Sequence, residues 1–248
     1  MYSIYYRVKT EEQLRNVEGG RIICPAELAN AAIAEGYEPI LDFPDIAREN
    51  NRQMLLDDAG MLEKASGVAI KNVDELGLLE EIDYKGQIIA DPFLYAYNSE
   101  AAGFYRNIFP GIMFIAPDEL TDSEISKMDG SGELIYKIYG RQRLMFTAQD
   151  IAANYNANEK CLELESMKHD RFVTDWGKYG YTTVYTADPV YMIDKLSELK
   201  WKRLLIDFTN ESGTQVRDVV SVLKTAIGGE DAAASFEFTR GHHYKGID

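Results

Sequence analysis

The chain has 248 residues, of which 46% are hydrophobic and 27% charged, and its formal net charge is −15 at pH 7. This composition is typical of a globular protein, and a negative field of this size repels phosphate backbones, so binding to nucleic acid is disfavoured. No stretch reaches about 18 apolar residues and no signal peptide is recognisable, so we expect a cytoplasmic protein with no membrane partner.

Eight short apolar runs rich in Ile, Val and Tyr alternate with segments of helical periodicity. The runs cover residues 3–8, 21–26, 38–44, 67–72, 86–92, 111–117, 133–140 and 202–208. Helical segments follow cap-forming residues, namely Thr10, Asn72, Asn98, Thr121 or Asp122. Continuous apolar runs are typical of parallel strands buried on both faces.

This alternation predicts a (β/α)8 TIM-like barrel forming a single domain over residues 1–248, because about 250 residues is the usual size of that fold. An open doubly wound sheet is the alternative. Residues 147–192 break the rhythm and are predicted to form an insert over one barrel mouth. Within it, a polar helix precedes HDRFVTDWGKYGYTTVY, whose two glycines between β-rich arms indicate a hairpin.

Polar side chains follow nearly every predicted strand, where barrel enzymes place their active sites. The carboxylates among them are Glu27, Asp42, Asp91, Glu119 and Asp207. Carboxylates this close together repel one another, so a ring of them requires cations, water or protons between its members. Such a ring could perform acid–base chemistry or bind a hard cation. The alternative for each single carboxylate is a helix cap. Lys71 could form a Schiff base, or be an ordinary solvated charge.

No nucleotide-binding, zinc-protease or serine-hydrolase motif is present. The chain has three histidines and two distant cysteines, Cys24 and Cys161, which we expect to be free thiols. None of these residues has metal-ligand spacing, so no metal site is predicted.

Several stretches, in order, resemble the collagenase-like peptidase family (peptidase family U-thirty-two). They are RVKTEEQL, GVAIKNVDELGLL, IIADPFLYAYNSEAAGFY, APDELTDSEI, ELIYKIYGRQRLMFTAQD, HDRF, VYTADPVYM and FTRGHHYKG. The resemblance implies a barrel acting on peptides or proteins. Residues at matching family positions are Asn98, Glu119, Glu133, Tyr139, Gly140, Leu144, Met145, Asp170, Arg171 and His242.

Relatives in this family include oxygen-independent hydroxylases whose barrel binds an iron–sulfur cluster through four cysteines. Here Asp150 stands where the first of those cysteines is expected, Cys161 is similar in position to the second, and Cys24 lies outside the family positions. Because such clusters need four thiolates, the sequence predicts neither a cluster nor another cofactor. The family's usual amino-terminal half is also missing, which indicates a detached, cluster-free relative.

The resemblance leaves two functions open. The first is a peptidase or other hydrolase with Glu119 or Glu133 as acid or base. Candidate binding residues are Asn98, Arg141, Asp170, Arg171, Arg240 and His242. The second is a noncatalytic binding or accessory subunit with a protein partner. A third reading, an RNA hydroxylase, is disfavoured by the cysteine count and the charge. The adjacent His243 is interpreted as a packing residue.

Overall fold

The structure, a computed structural model, describes residues 1–46, 52–155 and 161–245. Along the chain its elements are β1 (Ser3–Arg7), α1 (Glu11–Leu14), β2 (Arg21–Cys24), α2 (Ala26–Ala34), β3 (Ile40–Asp42), α3 (Arg52–Ala59), β4 (Gly67–Ile70), α4 (Val73–Glu81), β5 (Gln87–Ala90), α5 (Ser99–Ile108), β6 (Met113–Phe114), α6 (Asp122–Ile125), β7 (Ile135–Gly140), β8 (Arg143–Thr147), α7 (Ile151–Asn154), β9 (Cys161–Glu165), β10 (Arg171–Gly177), β11 (Tyr181–Thr186), β12 (Val190–Tyr191), β13 (Arg203–Asp207) and α8 (Gly213–Ile227). No helix in these ranges is long and apolar enough to cross a bilayer.

Nine strands form one curled sheet in the order β12-β7-β13-β1-β2-β3-β4-β5-β6. All neighbours are parallel except β12, which pairs antiparallel with β7. Each of the eight apolar runs identified in the sequence contributes one parallel strand. The predicted caps Thr10, Asn72, Asn98 and Thr121 accept hydrogen bonds from the first turns of α1, α4, α5 and α6.

The prediction of a (β/α)8 TIM-like barrel is wrong. The sheet has a ninth, antiparallel strand, and β6 has only two residues. Its parallel ends meet through a single bridge, Ile115 to Ile135. The helical layer is also incomplete, since α1, α6 and α7 are single turns and β7 continues into β8 instead of a helix. The doubly wound alternative fails too, because strands β1 to β6 follow each other in sequential order.

A second, four-stranded antiparallel sheet takes the place of the predicted insert, in the order β8-β11-β10-β9. Strands β10 and β11 form a hairpin in the stretch where the sequence indicates one. The second sheet is larger than that hairpin, however, because β8 begins before residue 147 and β9 occupies part of the segment predicted as a polar helix. Short-range patterns identified the hairpin, but its pairing with β8 is long-range.

The curled sheet is buried on both faces. Alternate residues along each strand, such as Tyr6, Ile22 and Val68, pack outward against the helices. The intervening residues form a separate cluster enclosed by the curl, with one member from each of the eight parallel runs. Its members are Tyr5, Ile23, Ile40, Ala69, Ile89, Ile115, Ile135 and Leu205.

Residues 238–245, the described part of the carboxy-terminal FTRGHHYKG stretch, lie along β12 and the outer side of β7, and Gly246 lies outside the described residues. His243 is buried there, and its ring packs on Tyr136, with a centroid distance of 5.0 Å. Tyr136 also stacks on Trp201 at 4.1 Å. The Nδ1 atom of His243 lies 2.8 Å from the Tyr136 hydroxyl and 3.1 Å from Asp122. His243 therefore fixes the end of the described chain onto the sheet.

Gly140 is the glycine on which the end of β7 depends. Its φ is +139°, and an added Cβ would lie 2.6 Å from the backbone oxygen of Asp207. We expect Gly140→Ala to lower the free energy of unfolding by about 1–3 kcal/mol, because backbone strain and this contact act together. In the matched control, Gly103→Ala in α5, the new methyl group meets nothing within 4 Å. That variant should be neutral or slightly stabilising. Urea unfolding of both variants checks the prediction, and equal stabilities would contradict it.

Candidate functional site

Six charged residues lie directly above the enclosed apolar cluster. They occupy the inward-facing positions two residues beyond it, so each points to the same side of its strand as the apolar residue below. In the order of the sheet from β7 they are Lys137, Asp207, Arg7, Asp42, Lys71 and Asp91. We call these six residues the charged layer. Cations and carboxylates alternate around it, and Pro25 and Pro117 occupy the corresponding positions after β2 and β6.

Arg7 is the centre of the charged layer. Its guanidinium group contacts Asp91 at 2.9 Å, Asp207 at 3.1 Å and Asp42 at 3.4 Å, and its side chain is 4% exposed. Burial alone would lower the pKa of Arg7, but the three carboxylates outweigh it and raise the pKa well above the ordinary value. Arg7 therefore stays charged, and it ties β1 to β13, to β3 and to the residue after β5.

Two carboxylates of the layer, Asp42 and Asp91, are held in their ionised form. Burial would raise the pKa of Asp42, but Arg7 and Lys71 lower it overall. Burial acts in the same way on Asp91, whose pKa is lowered by Arg143 and Arg7. Lys71 is buried and donates to Asp42 at 2.8 Å as well as to the backbone oxygen of Phe43. The interpretation of Lys71 as a solvated charge is therefore wrong.

Two cations connect the second sheet to this layer. Arg143 of β8 donates to Asp91 and Asp45, and its guanidinium carbon lies 4.2 Å from the ring centre of Phe93. Lys9, in the loop after β1, donates to Asp175 of β10 at 2.6 Å and to the hydroxyl of Tyr185 in β11 at 2.8 Å. The second sheet is thus fixed over the carboxyl ends of the parallel strands.

A cleft of about 510 Å³ lies between the two sheets. Its floor consists of residues that follow β1, β2, β3, β4 and β13, and its roof comes from β9, β10 and β11. The aromatic residues along it are Phe43, Trp176, Tyr179 and Tyr181. Its charged residues are Lys9, Glu27, Asp42, Asp45, Asp58, Lys71, Asp175 and Lys178. The cleft offers both apolar surface and hydrogen-bonding groups to a ligand.

The turn between β10 and β11 closes the far side of this cleft. Lys178 in the turn donates to Asp58 at 2.8 Å and to Glu27 at 3.1 Å. The hydroxyl of Tyr179 donates to the other oxygen of Asp58 at 2.7 Å. These contacts join the hairpin to α2 and α3, so the turn acts as a docked cover.

Glu75 is a fully buried carboxyl group next to the site. Its Oε2 accepts a hydrogen bond from the backbone nitrogen of Lys71 at 2.7 Å, and its Oε1 has no hydrogen-bond partner in the described part of the chain. Burial raises the pKa of Glu75 from 4.5 to about 8, although the Lys71 backbone bond and charge lower it. At neutral pH this group is therefore mostly protonated.

Both cysteines are free thiols, as predicted. Cys24 is buried at the end of β2, and burial raises its pKa to about 12. Cys161 lines the cleft, and burial raises its pKa to about 11. Neither thiol is therefore ionised at neutral pH. Because the ionised thiolate is the form that reacts as a nucleophile, neither cysteine is activated for nucleophilic attack. Among the described residues, no group of three or more His, Cys, Asp or Glu side chains is placed to hold a metal ion.

The two carboxylates predicted as acid or base do not come together. Glu119 accepts a hydrogen bond from the Tyr97 hydroxyl at 2.7 Å, in the region that follows β6. Glu133 is exposed and precedes β7, so it lies at the amino-terminal end of that strand, away from the charged layer. Its backbone oxygen accepts from Arg203, the first residue of β13.

Of the predicted binding residues, Arg141 lies nearest to the charged layer. It follows β7 and donates to Glu211 and, at 3.0 Å, to the backbone oxygen of Ala187. Asn98 is the cap of α5. Arg240 is engaged by Asp194 through both guanidinium nitrogens, and His242 lies 3.3 Å from the backbone oxygen of Lys245.

Asp170 and Arg171 lie on the outer part of the second sheet. Asp170 accepts from Ser166 in the turn after β9, and Arg171 contacts Asp188 and Glu237 at the surface. Neither residue lines the cleft. The site instead contains five residues that were not predicted from the sequence, namely Arg7, Lys9, Glu75, Arg143 and Asp175. A signal for Arg7 was available, since it stands two residues beyond an apolar inward position, as do Asp42 and Asp91.

Removal of the central cation should destabilise the fold. Arg7→Met leaves three carboxylates buried without their shared partner, and we expect it to lower the free energy of unfolding by about 3–5 kcal/mol. The control Arg15→Met removes an exposed arginine that pairs only with its neighbour Glu11 among the described residues, and should change stability little. Urea unfolding at pH 7 measures both. A loss for Arg7→Met no larger than that of Arg15→Met would contradict a central role for Arg7.

The protonated carboxyl of Glu75 should make stability depend on pH. Because its pKa is higher in the folded chain, the native state holds a proton between about pH 4.5 and 8 that the unfolded state releases, and stability falls as pH rises through this window. Glu75→Gln removes that dependence. The free energy of unfolding of the variant, relative to that of the parent chain, should therefore increase by about 1.4 kcal/mol per pH unit within this window. Denaturant unfolding at pH 5, 6, 7 and 8 tests this. Asp74→Asn, at the exposed neighbouring position, is the control, and parallel pH profiles for Glu75→Gln and the parent chain would refute the assignment.

Comparisons with known proteins gave no relative for this chain. No protein-family model matches it. Searches of characterised proteins and of solved structures likewise found no match. The resemblance to the collagenase-like peptidase family therefore stays a prediction that rests on the quoted segments, and the chemistry of the site is argued from its own geometry.

Proposed function

We propose that the chain is a noncatalytic relative of the collagenase-like peptidase family that binds a peptide-type ligand in the cleft between its two sheets. The observation that carries this proposal is that charged residues in the floor of the cleft are already paired with other groups of the protein. Asp42 and Lys71 in the floor are bonded to each other, and Asp91 behind the floor is bonded to Arg7, before any ligand arrives. A floor organised in this way supports recognition, because no rearrangement is needed when a ligand enters.

The state of the titratable groups favours binding over hydrolysis, because Glu75, whose pKa of about 8 is near neutral, is fully buried and does not line the cleft. A general acid works best when its pKa lies near the working pH. The lowered pKa values of Asp42 and Asp91 keep both ionised, and the raised pKa values of the two thiols keep them protonated. The hydrolase function, with Glu119 or Glu133 as acid or base, stays a prediction of the sequence resemblance.

The size and lining of the cleft support a short peptide as the ligand. At about 510 Å³ it falls within the range of about 300–1,000 Å³ that is usual for ligand pockets. Each peptide unit carries one donor and one acceptor. The cleft provides complementary groups in Thr183, Thr209 and Asn210, in addition to its charges.

Fluorescence of Trp176 provides a direct test. The chain has two tryptophans, and Trp201 is buried against Tyr136 on the outer side of β7, so Trp201→Phe leaves Trp176 as the reporter. We expect capped tripeptides Ac-Gly-Xaa-Gly-NH2, with Xaa spanning charge and size, to include members that change the emission saturably. Mass spectrometry should show that the bound peptides stay intact.

Two exposed loop positions give a matched pair of variants for this test. Asn210→Tyr places a ring in the cleft and should abolish the fluorescence response, whereas Glu230→Tyr, after α8, should leave it unchanged. If no peptide produces a saturable response, the proposal fails. Peptide cleavage that is lost in Asn210→Tyr and retained in Glu230→Tyr would replace it with the hydrolase function.

A further inference from the structure

We infer that the cleft recognises a cation, namely an ammonium or guanidinium group carried by the bound peptide. This inference rests on the proposed binding function and names the chemical class of the ligand. It depends on three separate observations, which are the balance of charges along the cleft, the carboxylate oxygens that stay available, and an ammonium group that the same rim already holds.

The charges along the cleft do not balance. The described residues that line it include five carboxylates and three ammonium groups. The groups directly behind the floor add equal numbers of each sign, since Arg7 and Arg143 face Asp91 and Asp207. Counted over the described residues, an excess of two negative charges therefore remains in a partly enclosed space, where electrostatic interactions are stronger than in bulk water. A cationic ligand would compensate this excess.

Two carboxylates have an oxygen available for such a ligand. Asp45 uses Oδ1 for both Arg143 and Lys71, and Asp175 uses Oδ2 for Lys9. Within the described ranges, the second oxygen of each carboxylate has no hydrogen-bond or ion-pair partner. Both side chains line the cleft and are about one quarter exposed, at 24% and 28%. These oxygens are the acceptors that we expect a guanidinium or ammonium group in the cleft to use.

The rim of the cleft already binds an ammonium group of the protein itself. Lys178 is held by Glu27 and Asp58, and its Nζ lies 5.4 Å from the centre of the Tyr179 ring. This combination of carboxylates with an aromatic face is how proteins recognise organic cations. Asp45, Asp175 and Trp176 line the same cleft, which therefore offers further carboxylates and another aromatic ring.

An anionic ligand fits the site less well. Each lysine of the cleft already donates to at least one carboxylate, namely Lys9 to Asp175, Lys71 to Asp42, and Lys178 to Glu27 and Asp58. An anion would have to break these pairs and then face the released carboxylates. Because like charges at close range repel each other, this exchange is unfavourable.

Three isosteric or matched peptides test the inference. The probes are Ac-Gly-Arg-Gly-NH2, the neutral Ac-Gly-citrulline-Gly-NH2 and the anionic Ac-Gly-Glu-Gly-NH2, with Trp176 emission in the Trp201→Phe background as the readout. We expect the arginine peptide to bind at least about tenfold more tightly than the citrulline peptide, as a charge-assisted bond is roughly twice as strong as a neutral one. The affinity of the arginine peptide should decrease when the NaCl concentration is raised from 50 to 500 mM.

Variants of the carboxylates that line the cleft test whether these groups cause the preference for the arginine peptide. Asp45→Asn keeps the shape of the side chain and should weaken the arginine peptide about tenfold while changing the citrulline peptide little. Asp175→Asn, at the other carboxylate with an available oxygen, provides a second test if Asp45→Asn does not fold. Glu163→Gln on β9 lies outside the cleft and should leave both affinities unchanged.

The outcomes separate this inference from the function on which it rests. If the citrulline or glutamate peptide binds as tightly as the arginine peptide, the cation inference is overturned and the peptide-binding function stands. If the arginine preference persists in both carboxylate variants, recognition by the cleft carboxylates is likewise overturned. If none of the three peptides, nor any other member of the tripeptide panel, binds, both the inference and the proposed function fail.

Discussion

The rest of the structure depends on the ion pairs that the Arg7 guanidinium group makes with three carboxylates. Arg7 lies in the middle of the curled sheet and bonds to carboxylates from β13, β3 and the end of β5, which are far apart in sequence. A buried arginine is tolerable only when it is paired with acceptors, as the two terminal nitrogens of Arg7 are, and the carboxylates in turn need Arg7 together with Lys71 and Arg143. The mutual requirement fixes the positions of three strand ends at once.

The second sheet follows from the same layer. Arg143 reaches Asp91, which already holds Arg7, and Lys9 reaches Asp175 from the loop that continues β1. The cover is therefore attached to the floor through ionic contacts, and the space between them becomes the cleft. In this arrangement the strand-end charges act as a framework. The residues that can meet a ligand stand one step further out, in the loops after the strands and in the β10–β11 hairpin.

Part of this organisation can be predicted from the sequence. Continuous apolar runs identify the eight parallel strands, and Thr10, Asn72, Asn98 and Thr121 identify helix starts, because both signals are local. The carboxylates Asp42, Asp91 and Asp207 were placed at strand ends, and their need for cations was anticipated. Closure of the sheet could not be predicted in the same way. It depends on how Ile115 meets Ile135 and on β8 replacing a helix, and both are long-range events.

In the candidate site, too, local features could be predicted from the sequence and features that depend on long-range contacts could not. Glu133 lies at the amino-terminal end of β7, as the first residue of the predicted run 133–140, and it was chosen from the family resemblance and not from its place on the strand. Lys9, Arg143 and Asp175 were missed because their importance arises only when the second sheet docks. Glu75 was missed because an acidic residue in the first turn of a helix is ordinary in sequence, and only burial makes its carboxyl group unusual.

The alternation of charge around the six-residue layer has a consequence for how such a protein can diverge. With each cation flanked by carboxylates and each carboxylate by cations, a change of sign at one position leaves its neighbours facing a like charge. Substitutions at Arg7, Asp42 or Lys71 are then tolerated only when a partner changes in compensation. We therefore expect these positions to change together, whereas residues of the outer cleft can change one at a time.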